Sequence, residues 1–321
     1  MQADPTVGGA HARLSDTLGT WFASHARDLP WRHPECSPWG VLTSEIMLQQ
    51  TPVTRVVPLW SYWMTRWPTP TDLATASTAE VIRAWGTLGY PRRALRLQEA
   101  AVQVGQRFDG QLPHNDELIT LPGIGDYTAA AVIAFAFNGR SVVLDTNIRR
   151  VLCRILLGQQ RPTSSSPTRL ERTLALSLVP EQDAQAANWS AAVMEFGALV
   201  CKANQPECAV CPVADVCTWR SLGYPVNDSP SLNRQAFEGT DRQARGRIMA
   251  LLRGSDQPVT LAQISEQWEP ADQRMRALDT LIADGLVEPL PEERFRVPIG
   301  STPSGDHPIA HLSATAGARS V

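Results

Sequence analysis

The chain has 321 residues, of which 43% are hydrophobic and 19% charged, and its formal net charge is −3. This composition is that of a soluble globular protein with one large domain or two smaller ones. Because the net charge is slightly negative, the chain is not a polycation, and its overall charge cannot be used to argue for nucleic-acid binding. No apolar run reaches the roughly 20 residues of a membrane span and the N-terminus lacks the regions of a signal peptide, so we expect an intracellular, cytoplasmic protein with no membrane partner.

Residues 12–220 are predicted to form one all-α domain. Residues 1–11 precede it and are expected to be disordered, and turn signals such as Asn138-Gly139 separate its helices. No alternating series of the kind that strands require is present. Apolar residues recur at helical spacing in 14–23, 41–50, 79–89, 94–107, 126–137, 147–157, 168–179 and 187–200.

The remainder of the chain predicts a smaller, separate module. Residues 221–239 are polar and are expected to form a linker, and residues 299–321 are rich in small and polar residues and are expected to be disordered. Between them, residues 240–298 predict a winged-helix-like module. Its expected elements are helices 241–253, 260–268 and 270–285, followed by a hairpin of 286–288 with 294–297.

A cluster of cysteines predicts a metal centre. Cys201, Cys208, Cys211 and Cys217 follow one another with the spacing C-x6-C-x2-C-x5-C. In an intracellular protein such a cluster indicates metal binding and not disulfides. Zinc and a [4Fe–4S] cluster both accept four cysteines, and zinc ribbons usually use two C-x2-C pairs where this loop has one. The spacing therefore favours a [4Fe–4S] cluster of structural role, with zinc as the alternative.

A glycine hairpin and an aspartate form a second candidate site. In the run Leu121-Pro-Gly-Ile-Gly-Asp-Tyr, Gly123 and Gly125 permit a tight turn and expose backbone N–H groups at a helix start, which suits a phosphate. Asp145 follows a short apolar stretch and precedes the helix 147–157. A carboxylate at a helix N-terminus is held ionised, as a positively charged sugar transition state requires, although the same residue also serves as a simple helix cap.

Together these motifs resemble the helix-hairpin-helix DNA glycosylases related to endonuclease III, over residues 14–220. The resemblance implies two helical subdomains with the DNA-binding and active-site cleft between them. Lyases of this superfamily carry a lysine two residues after the second glycine, where this chain has Tyr127. Lys202 is the only lysine of the chain, so a Schiff-base route is not expected and the enzyme should be monofunctional.

The segment Ser44-Glu-Ile-Met-Leu-Gln-Gln-Thr51 is similar to that of MutY-type adenine DNA glycosylases, which remove adenine mispaired with 8-oxoguanine or guanine. The resemblance makes Glu45 the general acid at the adenine ring and Asp145 the stabiliser of the sugar cation. Glu45 lies among apolar residues, and such surroundings raise the pKa of a carboxyl group. Tyr127 and Asn147 are expected to hold the two carboxyl groups and the water.

The same resemblance supplies a base pocket and a wedge. Trp31 and Arg32 are expected to line the pocket, and Gln49 precedes Gln50 at the end of the same helix as Glu45. Gln50 and Tyr90 are expected to enter the base stack as the adenine flips out. The expected partner is therefore double-stranded DNA with an A:8-oxoguanine or A:G mispair, bound by a monomer.

The chain departs from the family in three places. Pro91 stands where a second tyrosine is usual, and Ala191 occupies the position expected to contact adenine. Residues 241–297 are too few to form the Nudix-like domain that the family commonly carries. Their role could be duplex binding, docking of a repair protein or a structural one. A thymine–guanine mismatch glycosylase and a non-catalytic iron–sulfur DNA-binding protein are the alternative functions.

Overall fold

The protein is described by a computed structural model of residues 5–226 and 237–300, with side chains from residue 13. The predicted disordered tail beyond residue 300, most of the predicted linker and residues 1–4 lie outside the described residues. The helices are α1 Pro5–His25, α2 Pro38–Leu48, α3 Val53–Arg66, α4 Pro70–Thr75, α5 Thr78–Trp85, α6 Arg92–Arg107, α7 Asp126–Phe137, α8 Thr146–Leu157, α9 Arg169–Leu178, α10 Asp183–Leu199, α11 Thr218–Ser221, α12 Asp241–Gly254, α13 Leu261–Ser265 and α14 Ala271–Ala283. The strands are β1 Val259–Thr260, β2 Glu288–Leu290 and β3 Arg294–Arg296.

Local capping fixes where several helices begin. Ser37 accepts a hydrogen bond from the backbone N–H of Gly40 at the start of α2, and Pro38 occupies the first helical position. α5 begins at a capping box in which Ser77 and Glu80 satisfy each other's backbone N–H groups. These side chains bond to N–H groups that have no partner within the helix, which is why the sequence signals mark the helix starts well.

The glycosylase-like part is built around two apolar cores. One core is formed by residues from Leu29 to Val132 on α2 to α7, and the other by α1, the second half of α7, α8 to α10 and the cysteine loop. α7 contributes Ala129 and Val132 to the first core and Ala131 and Ala134 to the second. Because one helix is buried against both subdomains, residues at its N-terminal end lie at the boundary between them.

The C-terminal module contains three helices and a small antiparallel sheet. The strand order is β1-β3-β2, with Val259 and Pro289 both opposite Phe295. Its apolar core also includes Ala79 and Ile82 of α5. The module therefore packs directly onto the first subdomain through a shared core.

The described elements confirm the predicted all-α class of the larger domain and correct several element boundaries. α1 begins at Pro5, so the disorder expected up to residue 11 is wrong for residues 5–11. α3 was not expected, because Pro52 before it and Pro58 within it resemble turn signals. β1 was also not expected, because two residues are too short for a periodic pattern, and β2 lies two residues later than predicted and includes Pro289.

Among the described residues no strand occurs before β1, and none of the described helices combines the length and apolarity that crossing a bilayer would demand.

Candidate active site

Glu45 lies in the interior of α2 with 5% of its surface exposed, and its carboxylate accepts a hydrogen bond from the hydroxyl of Tyr127 at 2.8 Å. Tyr127 is in the first turn of α7, which packs against α2. Burial, with a smaller contribution from the charge of Asp145, raises the pKa of Glu45 to about 7 against the opposing effects of the Tyr127 hydroxyl and the charge of Arg32. The site therefore contains a carboxyl group that carries a proton near neutral pH.

Asp145 is the N-cap of α8 on the other subdomain. Its carboxylate accepts a hydrogen bond from the backbone N–H of Ile148 at 2.6 Å and another from the side-chain amide of Asn147 at 2.7 Å. Burial raises the pKa of Asp145, whereas the hydrogen bonds from Ile148 and Asn147 and the charge of Arg150 lower it. Asp145 accepts more hydrogen bonds than Glu45, so its ionised form is the better stabilised of the two.

Burial also raises the pKa of Tyr127 well above its ordinary value, and the charges of Glu45 and Asp145 add to this effect. The hydroxyl therefore remains a hydrogen-bond donor. Glu45, Tyr127 and Asp145 thus form one electrostatically linked group at the boundary of the two subdomains.

An ion triad with a buried glutamate lies beside this group and was not predicted from the sequence. Glu195 of α10 is fully buried and accepts two hydrogen bonds from the Arg27 guanidinium at 2.7 Å and one from Arg32 at 2.9 Å. Burial opposes ionisation of Glu195, but the two arginines lower its pKa to about 2. An acidic residue is therefore present one turn after Ala191, and the available signal was a glutamate in an otherwise apolar stretch.

The remaining predicted pocket residues are less closely associated with the carboxyl groups. Trp31 is buried in the first core with its ring edge-on to Trp60 at 5.8 Å between centroids. Gln49 donates a long hydrogen bond of 3.4 Å to the hydroxyl of Thr128, in the turn of α7 that also carries Tyr127.

The hairpin before α7 contains one glycine with a clear backbone requirement. Gly123 has φ +79°, and a Cβ atom there would lie 2.8 Å from the Cβ of Arg96. Gly125 has an ordinary φ of −105°, so of the two glycines only Gly123 needs the left-handed conformation in this turn. A Cβ atom at Gly125 would meet no heavy atom within 4 Å, so the N-terminus of α7 faces open space.

Gln50 and Tyr90 both lie in exposed loops and adopt left-handed backbone conformations, with φ +56° and +48°. Such values are uncommon for residues other than glycine and are tolerated where the surroundings hold them. Arg93 bonds both loops: it donates to the carbonyl of Gln49 at 2.5 Å and to the carbonyl of Gly89 at 2.9 Å, and its guanidinium stacks on Tyr90.

The four cysteines line one cavity together with apolar residues of α8 and α10. The buried Arg154 donates to the carbonyls of Lys202 and Ala203 and to the sulfur of Cys201 at 3.4 Å, and stacks on Trp219. Burial, together with the charges of the other three cysteines, raises the pKa of Cys211 to about 11 against the opposing effect of a hydrogen bond from the backbone of Val213. No set of three or more His, Cys, Asp or Glu side chains in residues 13–226 and 237–300 is arranged to hold a metal ion.

The cysteine loop and Asp145 are connected by a second buried arginine of α8. Arg150 donates to the carbonyl of Cys201 at 2.8 Å and to the side-chain oxygen of Asn147 at 2.8 Å. Asn147 in turn bonds Asp145. The arginines of α8 therefore connect elements inside the protein and do not face solvent.

Comparison with known proteins agrees with this architecture. Residues 43–176 match the family described as HhH-GPD superfamily base excision DNA repair protein. The adenine DNA glycosylase of Mycobacterium tuberculosis is 47% identical over 298 residues, which cover 92% of this chain and 97% of that protein. A thermostable thymine-DNA glycosylase superposes with a TM-score of 0.60 at 25% identity, covering 67% of this chain and 99% of its own. An endonuclease III in a DNA complex gives 0.56 at 22% identity, covering 66% and 95%. The chain therefore belongs to the helix-hairpin-helix base excision repair superfamily and, within it, to the MutY-type adenine DNA glycosylases.

Proposed function

We propose that this protein removes adenine from duplex DNA where it is mispaired with 8-oxoguanine or guanine, without cleaving the strand. The observation that carries the proposal is the pair of carboxyl groups: Glu45, whose pKa lies at about 7, and Asp145, the N-cap of α8. A proton donor and an anion on two sides of a cleft are what glycosidic bond cleavage requires.

Glu45 acts as the general acid. It donates its proton to N7 of adenine, so that the electron pair of the breaking C1′–N9 bond is accepted by a cationic base and adenine leaves. Its carboxylate is then stabilised by the Tyr127 hydroxyl at 2.8 Å. A positioned acid with a pKa near the working pH typically contributes ~10² to 10⁴-fold to the rate.

Asp145 stabilises the positive charge that develops on the sugar, through space or by a transient bond to C1′. The hydrogen bonds from Ile148 and Asn147 hold its carboxylate in place before the charge forms, which lowers the cost of reorganisation. Water then adds to C1′ and releases a proton, and an abasic site remains. With Tyr127 in the position of the lyase lysine, no amine is available there for a Schiff base.

The surrounding loops hold the DNA. The open N-terminus of α7 after Gly125 offers backbone N–H groups to a phosphate. The exposed Gln50 and Tyr90 fill the space that the flipped adenine leaves, a step that costs a few kcal/mol. Trp31 and Arg32 line the base pocket, where Arg32 is fixed by Glu195.

We further propose that Cys201, Cys208, Cys211 and Cys217 hold a [4Fe–4S] cluster. The cavity that they share has apolar walls, and Arg154 beside it supplies a buried positive charge that offsets thiolate charge. The bound cluster would supply redox-active iron, and its main effect here would be to hold the loop against α8 and α10. Metal and sulfide analysis should find four iron and four sulfide per chain, and both should be lost in Cys211→Ser. One zinc per chain would contradict the assignment.

The mispair assignment is tested by single-turnover excision from duplexes with A opposite 8-oxoguanine, A opposite G and T opposite G. We expect excision from the first two and none from the third, because thymine is a pyrimidine and has no N7 that Glu45 could protonate. Glu45→Gln should lose most of this activity and keep mispair binding. Excision of T opposite G would favour the thymine glycosylase, and binding without excision would favour the non-catalytic alternative.

Three further expectations accompany this function. The glycosylase domain spans residues 12–220, and the module of residues 240–298 is connected to it by the linker 221–239. The protein acts as a monomer in the cytoplasm, on the chromosomal DNA. Sedimentation of the protein alone and with a mispaired duplex tests the stoichiometry.

A further inference from the structure

The C-terminal module is attached beside the loop that carries Tyr90. Ala79 and Ile82 of α5 share its core, Arg83 of α5 donates to the carbonyl of Ser255 at 3.1 Å, and Arg92 of α6 pairs with Asp284 at 3.0 Å. α5 and α6 flank the segment Gly86–Pro91. The module is therefore fixed to both helices from which the Tyr90 loop extends.

The module places a cation against the Tyr90 ring. Arg242, in the first turn of α12, lies with its guanidinium 4.5 Å from the ring centroid, and the guanidinium of Arg93 lies 5.6 Å from it. Tyr90 remains 39% exposed, and Arg242 and the neighbouring Phe237 are exposed as well. The exposed edge of the Tyr90 loop and the first turn of α12 thus form one continuous surface.

Local hydrogen bonds hold Arg242 at this place. Thr240 caps α12 and donates to the carbonyl of Phe237 at 2.7 Å, and Gln273 of α14 donates to the carbonyl of Gly239 and to the carboxylate of Asp241. Asp241 lies next to Arg242 in sequence, but its ion-pair partner is Arg276. Within the described residues no carboxylate lies within ion-pair distance of Arg242, although Arg245 on the same helix is neutralised by Asp284.

The segment after residue 225 has more acidic than basic residues, so the whole module does not attract DNA by its net charge. An exposed cation without a carboxylate partner beside a stacking aromatic is nevertheless a local arrangement that suits a nucleic acid, where phosphates bind the guanidinium and bases stack on the ring. We propose that the first turn of α12 is a DNA-binding surface, in which Arg242 contacts a phosphate of the duplex next to the point where Tyr90 enters the stack.

This proposal rests on the proposed function only for the entry of Tyr90 into the duplex. The phosphate contact itself is independent of which base is removed. It gives the module a role in gripping the strand around the mispair, and makes docking of a repair protein on this surface the competing outcome.

The test is equilibrium binding of the full chain to two duplexes that cannot be cleaved, one undamaged and one with a tetrahydrofuran abasic analogue opposite 8-oxoguanine, over a series of salt concentrations. Arg242→Ala should weaken both complexes about tenfold at low salt, as expected for one hydrogen bond to a charged group. The slope of log K against log salt should fall by about 0.9, because one phosphate contact is lost. Arg242→Lys should restore the slope.

Arg247→Ala is the matched control, because Arg247 is an exposed arginine of the same helix that does not contact Tyr90. It should bind both duplexes within about twofold of the unaltered chain. An unchanged salt slope in Arg242→Ala would overturn the proposal, and so would an equal loss in Arg247→Ala. If the unaltered chain fails to excise adenine but its binding to undamaged duplex still depends on Arg242, the proposed function fails and this inference stands.

Discussion

Glu45→Gln should make the protein more stable at alkaline pH while it abolishes excision. The carboxyl group has an ordinary pKa of 4.5 in the unfolded chain and a pKa of about 7 in the fold. The folded state therefore binds the proton more tightly, and stability that is present below pH 4.5 is lost as the pH rises through about 7. The difference between 4.5 and about 7 corresponds to ~3 kcal/mol at 1.36 kcal/mol per pKa unit.

A neutral glutamine does not ionise, so the variant should exceed the unaltered protein by up to ~3 kcal/mol at pH 8 and differ little at pH 4.5. Thermal unfolding from pH 4.5 to 8, with the metal content held constant, measures this difference. Glu80→Gln is the control: hydrogen bonds from Ser77 lower the pKa of the exposed Glu80, so its contribution to stability is present above pH 4.5 and this variant should show a nearly constant loss from pH 4.5 to 8. A Glu45→Gln variant that loses stability equally at every pH would refute the reasoning.

Three other substitutions test neighbouring contacts. Tyr127→Phe removes the hydroxyl that stabilises the Glu45 carboxylate, so the alkaline limit of single-turnover excision should move to higher pH by about one unit. In the control Tyr62→Phe, which changes an exposed tyrosine, this limit should stay where it is. Movement of the limit to lower pH in Tyr127→Phe would contradict the reasoning. Glu195→Gln leaves the partly exposed guanidinium groups of Arg27 and Arg32 without their buried anion, so chemical unfolding should show a loss of about 1 to 3 kcal/mol, and a loss below about 0.5 kcal/mol would count against the triad. Arg93→Lys loses the forked contacts to the loops of Gln50 and Tyr90. The excision rate of mispaired adenine should therefore fall roughly tenfold, while the rate for adenine opposite an abasic analogue should stay unchanged. An equal loss of rate on both substrates would indicate damage to the chemical step itself.

The sequence by itself determined the helical fold class and the positions of the local motifs. Capping residues, the Leu121–Tyr127 hairpin and the cysteine spacing are short-range signals, because each reflects a constraint on a few consecutive residues. The same is true of Asp145, whose cap is completed three residues later by Ile148. Such features can be predicted without knowledge of distant parts of the chain.

Only the tertiary structure decided which distant side chains meet. The bond from Tyr127 to Glu45 joins residues 82 positions apart, and the contact of Arg27 with Glu195 spans 168 positions. Periodicity identifies a buried helix face but not the residue opposite it, so neither the neutralisation of Glu195 nor the contact of Arg242 with Tyr90 could be predicted from the sequence. These pairings arise where separate helices pack, and burial there gives them their energetic weight, because a charge removed from water requires a partner.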